Sequence, residues 1–479
     1  MKNSQLKELL LSLNKTEIKE FDKFVRSPYF NNRTEVIRFY NEIIRYHPDH
    51  TRHKPEILND RSIFKNVYPG KKYSDVLMRK LYSLTTNLLL DFISVKGFRE
   101  SKLEYNIKML DKLRERKLPA MFEKRSGYME KLLSECRHDL TYYENKLKHT
   151  SVLHGHLLNS NEKSMVSRLQ NELDDVVEYF IIIASVQYIR LEEWSKALDR
   201  KFDLKLQNEV IKYFSKRKIR EVTLANLYYN MMMLLKTEEE KYYIELEKGR
   251  KIFEPKLGNM DEYNISIVLM QYCYKRVMKG NIEFRRQQFE ITKKMLEKNL
   301  IPAGYIEPYF FTNTVRNAAN INEFKWSEEF IALYRKRLNP ELEEEITEYS
   351  FAMIEFNKSN FEKSLRHLSK INIEMSNMKL GIKNLLVVIY YELNYKEELI
   401  SLIDTYKHFL QRDKTITKQA IRVSRLFLNY VSDLVKIYHN KNFEAAYPLK
   451  KKIENTPYFD SKNWLIRKAD ELSNKITDL

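Results

Sequence analysis

Glycine and proline are scarce in this chain, at 9 and 11 residues in 479. Together they make up about 4% of the sequence, where roughly 12% is usual. Tight β-turns and left-handed backbone positions draw on Gly, Asn and Asp, so a large sheet protein is hard to build from this composition. Long helices joined by short turns are easy to build from it, and the expectation is an all-α protein. No two glycines lie within five residues of each other. A phosphate-cradling loop needs clustered glycines, so that backbone N–H groups can approach the anion. The chain therefore has no Walker A loop, no dinucleotide fingerprint, no kinase glycine-rich loop and no G-x-S-x-G elbow.

Residues 1–97 read as a helical N-terminal module. Asn14-Lys15-Thr16-Glu17 is a capping-box start, with Ile18, Phe21, Phe24 and Val25 on one face until Ser27-Pro28. Asn32-Arg33-Thr34-Glu35 repeats the start signal, and Ser74-Asp75 opens a longer helix. Residues 98–260 read as a long-helix array. Its most apolar run, Val176 to Ile189, contains Glu178 and Gln187 and is too short to span a bilayer, so it reads as a buried helix. The N-terminus lacks the apolar core and cleavage site of a signal peptide, and the two cysteines, Cys136 and Cys273, define no disulfide framework. The expected location is cytoplasmic, with no membrane partner.

In residues 261–479 a small or Asn residue recurs before an aromatic and a charged helix start: Asn360-Phe361-Glu362, Asn394-Tyr395-Lys396, Asn442-Phe443-Glu444 and the looser Lys325-Trp326-Ser327. Trp326, Phe361 and Tyr395 are 35 and 34 residues apart. This period resembles the tetratricopeptide repeat, a helix–turn–helix unit of 34 residues. Phe351 and Ala352 sit where that family has Leu-Gly, with Ser364 and Leu368 at the small and large positions of the second helix. The next repeat departs, with Leu386 for the glycine and Glu398 for the alanine. The resemblance implies an irregular α-solenoid with C-terminal capping helices, and largely buried, equivalent Phe361 and Tyr395. An irregular helical array with fortuitous spacing stays open as the alternative. The whole chain also resembles a family of uncharacterised bacterial helical proteins that share an early S-P-[YF]-F-N segment, here Ser27 to Asn31; that resemblance lends no function.

Chemical motifs are sparse. Tyr46-His47-Pro48-Asp49 follows a helix carrying Arg38 and Arg45 and resembles the His-Pro-Asp loop of J-domain co-chaperones, which stimulate a heat-shock ATPase. The flanking helices depart from that family, and Pro and Asp after a helix are ordinary turn chemistry. His47, Asp49, His50 and His53 read as an incidental solvated cluster, and His154-Gly155-His156 as a loop pair. No catalytic residue, metal site or cofactor is expected.

The formal net charge is +18. Basic clusters at Arg335-Lys336-Arg337 and Lys450-Lys451-Lys452 are answered by acidic runs at Glu238 to Glu240 and Glu343 to Glu345. Lys216, Arg217, Lys218 and Arg220 are candidate polyanion-binding residues, within five positions of one another. The resulting expectation is a non-enzymatic helical-repeat scaffold binding a protein or peptide partner on its concave face. The alternative is a basic nucleic-acid-binding regulatory protein, and a third reading is a J-domain-like co-chaperone.

Overall fold

The computed structural model describes residues 4–47, 59–157, 162–198, 200–216, 222–372, 376–413 and 416–475. Among the described residues there are 23 α-helices and four short 3-10 turns, and no strand. Among the described residues no helix is long and apolar enough to cross a membrane. The fold is all-α, as the glycine and proline shortage implies. Contacts divide it into two compact units, residues 1–136 with 142–175, and residues 137–141 with 176–479.

The first unit begins with α1 (Ser4–Ser12), α2 (Lys15–Val25), α3 (Thr34–Ile43), α4 (Asp60–Val67) and α5 (Asp75–Glu100). Asn14 caps α2 as its sequence implies: its side chain accepts from the amides of Thr16 and Glu17, while Glu17 reaches back to the Asn14 amide. At α3 the cap is Arg33, without a side-chain cap bond, not Asn32. The preceding turn is held by Asn31 instead. Its Nδ2 donates to the Val25 carbonyl at 2.8 Å and its Oδ1 accepts from the Arg33 amide at 3.1 Å. Phe21, packed edge-on to Tyr40 and against Phe92, centres the core. The unit continues through α6 (Lys102–Glu115), α7 (Pro119–Glu135), α8 (Leu140–Leu157) and the start of α9 (Glu162–Leu198). Residue 97 lies inside α5, which runs on unbroken to Glu100.

The second unit takes the rest of α9 and α10 (Gln207–Lys216), then a succession of antiparallel helix pairs. These are α11 (Leu224–Thr237) with α12 (Glu240–Phe253), α13 (Asn259–Met278) with α14 (Phe284–Glu297), and α15 (Pro308–Asn320) with α16 (Phe324–Tyr334). They continue with α17 (Glu343–Asn357) and α18 (Phe361–Leu368), α19 (Ser376–Glu392) and α20 (Lys396–Arg412), and α21 (Lys418–His439) and α22 (Ala446–Glu454). α23 (Lys462–Asn474) packs on α21 and α22 and closes the array. Each pair touches the next: α11 meets α13, α15 meets α17, and the second helices α14, α18 and α20 meet the first helices α15, α19 and α21. The result is a solenoid-like stack, each pair burying its apolar face on its neighbours.

The turns explain how such a chain manages with few glycines. Helices commonly end on a residue in the left-handed region, usually glycine. Here Gly280 serves after α13, but Asn322, Ser359, Asn394 and Lys441 take the same role after α15, α17, α19 and α21, at φ 64°, 61°, 60° and 52°. In each case the next amide reaches back five residues, as Asn360 to the Glu355 carbonyl and Tyr395 to the Tyr390 carbonyl, both at 2.9 Å. Non-glycine residues accept this conformation at a cost of about 1 kcal/mol each, offset by the closure of the turn.

This geometry corrects two expectations. Phe361 and Tyr395 are half-buried, not largely buried, because each opens a second helix and packs over its own turn, Phe361 against Phe356 and Tyr395 against Tyr390. Nor are they equivalent. Phe361 stands two residues after its left-handed Ser359, and Tyr395 one residue after Asn394. Counted from Asn322, the partner of Phe361 is Phe324 rather than Trp326. The left-handed positions Asn322, Ser359 and Asn394 are 37 and 35 residues apart.

Candidate binding groove

Among the first helices, α15 carries a polar stripe opposite its buried face. Tyr309, Asn313, Arg316 and Asn320 recur at helical spacing on one side, while Phe311, Val315, Ala318 and Ala319 are buried on the other. Arg316 reaches across to α17. Its Nη2 donates to the hydroxyl of buried Tyr349 at 3.1 Å, and its Nη1 donates to Asn313 Oδ1 at 3.3 Å. Tyr349 in turn lies against α19 at Gly381, where a Cβ would collide with the phenol oxygen and stand 3.6 Å from Arg316 Nη2. Three successive first helices are thus joined at one point, and glycine at 381 is what lets the tyrosine in.

Tyr274 of α13 and Tyr309 are 43% and 54% exposed beside this point. Dense surroundings push the Tyr274 phenol up to about 12, chiefly through burial and then through the charge of Asp460 and the Tyr309 phenol, against Arg316 and Arg285. Asp460 comes from the segment between α22 and α23 and pairs with Arg285 of α14 at 3.3 Å. Phe459, next to it, is buried in the C-terminal core and fixes that carboxylate in place. Further along, Lys383 of α19 lies over the rings of Tyr406 and Phe409, 5.7 and 5.4 Å from their centroids. Burial, with help from the charge of Lys379, holds its ammonium below the usual lysine value. Lys418, Arg422 and Arg425 of α21 are exposed. These side chains offer hydrogen-bond donors, cationic charge and aromatic faces.

Of the sequence-derived polyanion candidates, Lys216 is exposed at the end of α10, while Arg217, Lys218 and Arg220 lie outside the described residues. The other basic clusters are partly neutralised within the fold. Lys336 and Arg335 share Glu343 at 3.0 and 3.8 Å, and Lys450 pairs with Asp470 at 2.6 Å. The acidic run answers too: hydrogen bonds from Lys275 and Lys279 hold Glu238 down at about 2. His47 is buried after α3 rather than solvated, its amide donating to the Ile44 carbonyl. Pro48, Asp49, His50 and His53 lie outside the described residues.

His154 and His156 are on helix α8, not in a loop. Gly155, within the helix, passes Arg114 closely, where a side chain would meet the guanidinium. His156 stacks on Phe122 and contacts Glu123 at 3.1 Å, and His154 contacts Glu172 at 3.3 Å. His154 and Glu172 border a cavity of about 660 Å³ between α7, α8 and α9 in the first unit, where Lys146 is also paired, to Asp175 at 2.6 Å. A second cavity, of about 490 Å³, lies at the far end of α19, where Lys396 and Lys475 both approach the ring of Tyr438. Glu392 balances Lys468 there at 2.9 Å. Among the described residues no group of three His, Cys, Asp or Glu side chains is arranged to hold a metal ion.

Comparison of the chain with protein-family models, with curated proteins and with solved structures finds no match.

Sequence reasoning missed the groove. Arg316 looks like any helical arginine. The usable signal was the polar stripe Tyr309, Asn313, Arg316, Asn320 on a helix whose opposite face is apolar.

Proposed function

We propose that this chain is a non-enzymatic helical-repeat scaffold, and that the tetratricopeptide-like array of its second unit binds a peptide segment of a protein partner along the open face of its first helices. One observation carries the reading: Arg316, which donates to Asn313 Oδ1 and the Tyr349 hydroxyl, lies within electrostatic reach of the exposed phenols Tyr274 and Tyr309. Tyrosine supplies contact area at low entropic cost and a hydroxyl for peptide groups. A fixed guanidinium supplies donors in a rigid fork. Stacked helix pairs present such side chains at regular intervals, which suits an extended chain.

The test is selection of random dodecapeptides on the full chain. The reading expects enriched peptides that bind the wild type and lose at least about tenfold in affinity on a Tyr274→Ala, Tyr309→Ala double variant, the loss of one aromatic anchor or more. Failure to enrich any peptide, or equal binding by the double variant, would remove the groove from consideration.

A second reading, nucleic-acid binding, draws on the net charge of +18 and on exposed Lys216, Lys418, Arg422 and Arg425. It expects duplex or single-strand binding at low salt that falls steeply as salt is added, through counterion release. An oligonucleotide titration showing no binding at low salt ends it.

A further inference from the structure

We infer that this face takes an acidic peptide segment, one of whose side-chain carboxylates seats on the guanidinium of Arg316 beside the exposed Tyr274 and Tyr309. This rests on the peptide-binding reading above and names the chemistry of the peptide.

The argument is one of charge and geometry. Arg316 is half-buried, and its hydrogen bonds run to an amide oxygen, Asn313 Oδ1, and to the Tyr349 hydroxyl rather than to a carboxylate. A guanidinium has five N–H donors, so donors remain for a ligand. Asp460 is the acid whose charge acts on this site, and it is already engaged by Arg285 at 3.3 Å. One carboxylate thus stands against two guanidiniums. A carboxylate matches the planar fork in a bidentate geometry, and such charge-assisted pairs are about twice as strong as neutral ones.

The fork is also held before anything binds. Gly381 admits the Tyr349 hydroxyl to the α19 backbone, and that hydroxyl accepts from Nη2. Pre-organisation of this kind lowers the entropy lost on binding. The flanking phenols, 43% and 54% exposed, give apolar faces to the residues on either side of the acid. An alternating acidic and apolar segment matches this lining. Phosphate would satisfy the same fork, so an oligonucleotide is the informative competitor.

The experiment uses the most enriched dodecapeptide selected on the full chain, synthesised with a fluorescein label. A second copy carries Asn or Gln in place of every Asp or Glu. Binding is read by anisotropy at about 0.1 M salt, where exposed charges are already partly screened. The expected result is an acidic consensus, and an amide copy weaker by about tenfold or more. Arg316→Gln should bind both copies alike, and Arg316→Lys should recover part of the preference. Circular dichroism melts establish that the variants fold. Should Arg316→Gln fail to fold, the comparison of the two peptide copies on wild type and on Arg316→Lys decides. A consensus without acids, equal binding of the two copies by wild type, acid preference undiminished in both variants, or displacement of the peptide by a single-stranded oligonucleotide at lower concentration than unlabelled peptide overturns the inference. The first of these leaves peptide binding standing, whereas failure to enrich any peptide ends both.

Discussion

The hydroxyl of Tyr349 lies against the backbone of Gly381, so close that no larger residue at 381 leaves room for it. The contact joins α17 to α19 and positions the acceptor that holds Arg316. Alanine in a helix is ordinarily favoured over glycine by about 0.5–1 kcal/mol. At 381 the sign reverses, because overpacking costs about 1–3 kcal/mol. Gly381→Ala should therefore lower stability in urea denaturation. Adding Tyr349→Phe removes the colliding oxygen and should return part of the loss, a coupling that only neighbours show. Stabilisation by Gly381→Ala alone would refute the close contact.

Asp261 supplies a pH test. It is buried on α13 and accepts from the Tyr228 hydroxyl at 2.6 Å. Burial, then the nearby charge of Asp139, pushes its carboxyl up to about 6, against the Tyr228 bond, which lowers it. A folded value above the unfolded one of about 4 means that the neutral form is the one the fold favours. This contribution is fully present below about pH 4 and is lost as pH rises through about 6, and it amounts to 2–3 kcal/mol at most. Asp261→Asn should flatten that part of the stability profile relative to wild type. An unchanged difference between the two proteins from pH 4 to 7 would count against it.

The left-handed caps make a second stability prediction. Ser359 and Lys441 hold positive φ with side chains that glycine would not need to accommodate. Ser359→Gly and Lys441→Gly should each stabilise by about 0.5–1 kcal/mol, the relief of left-handed strain less the extra freedom of glycine in the unfolded chain. Destabilisation by both would mean that these turns close differently.

Phe361→Ala should cost about 1–2 kcal/mol, less than the 3–5 typical of a fully buried phenylalanine. The ring is half-buried over Phe356. A loss at the larger value would place the ring in the core.

Much of the fold was legible because it rests on local chemistry. Asn14 with Glu17 and Ser74 before Asp75 each satisfy orphan amides near the chain position where they occur. The turns near Asn360, Asn394 and Asn442 were legible in place but not in register. The residue that reverses the chain is Ser359, Asn394 or Lys441, and only a backbone angle shows which. The groove was not legible, because its parts come from Tyr274, Arg285, Arg316, Tyr349, Gly381 and Asp460, spread over nearly two hundred residues. Arg285 and Asp460, 175 residues apart, meet only through the packing of the folded array, which no local sequence pattern records.

The most direct test of peptide binding on the first-helix face is site-specific photocrosslinking. A benzophenone side chain is placed at Tyr309 or, as a control, at Tyr29, an 88% exposed aromatic in the first unit. Each protein is illuminated with the selected dodecapeptide and examined by mass spectrometry. The account predicts a peptide adduct from position 309 that unlabelled peptide suppresses, and none from position 29. An adduct from position 29 alone, or no adduct from position 309 under conditions where the peptide is bound, would contradict it.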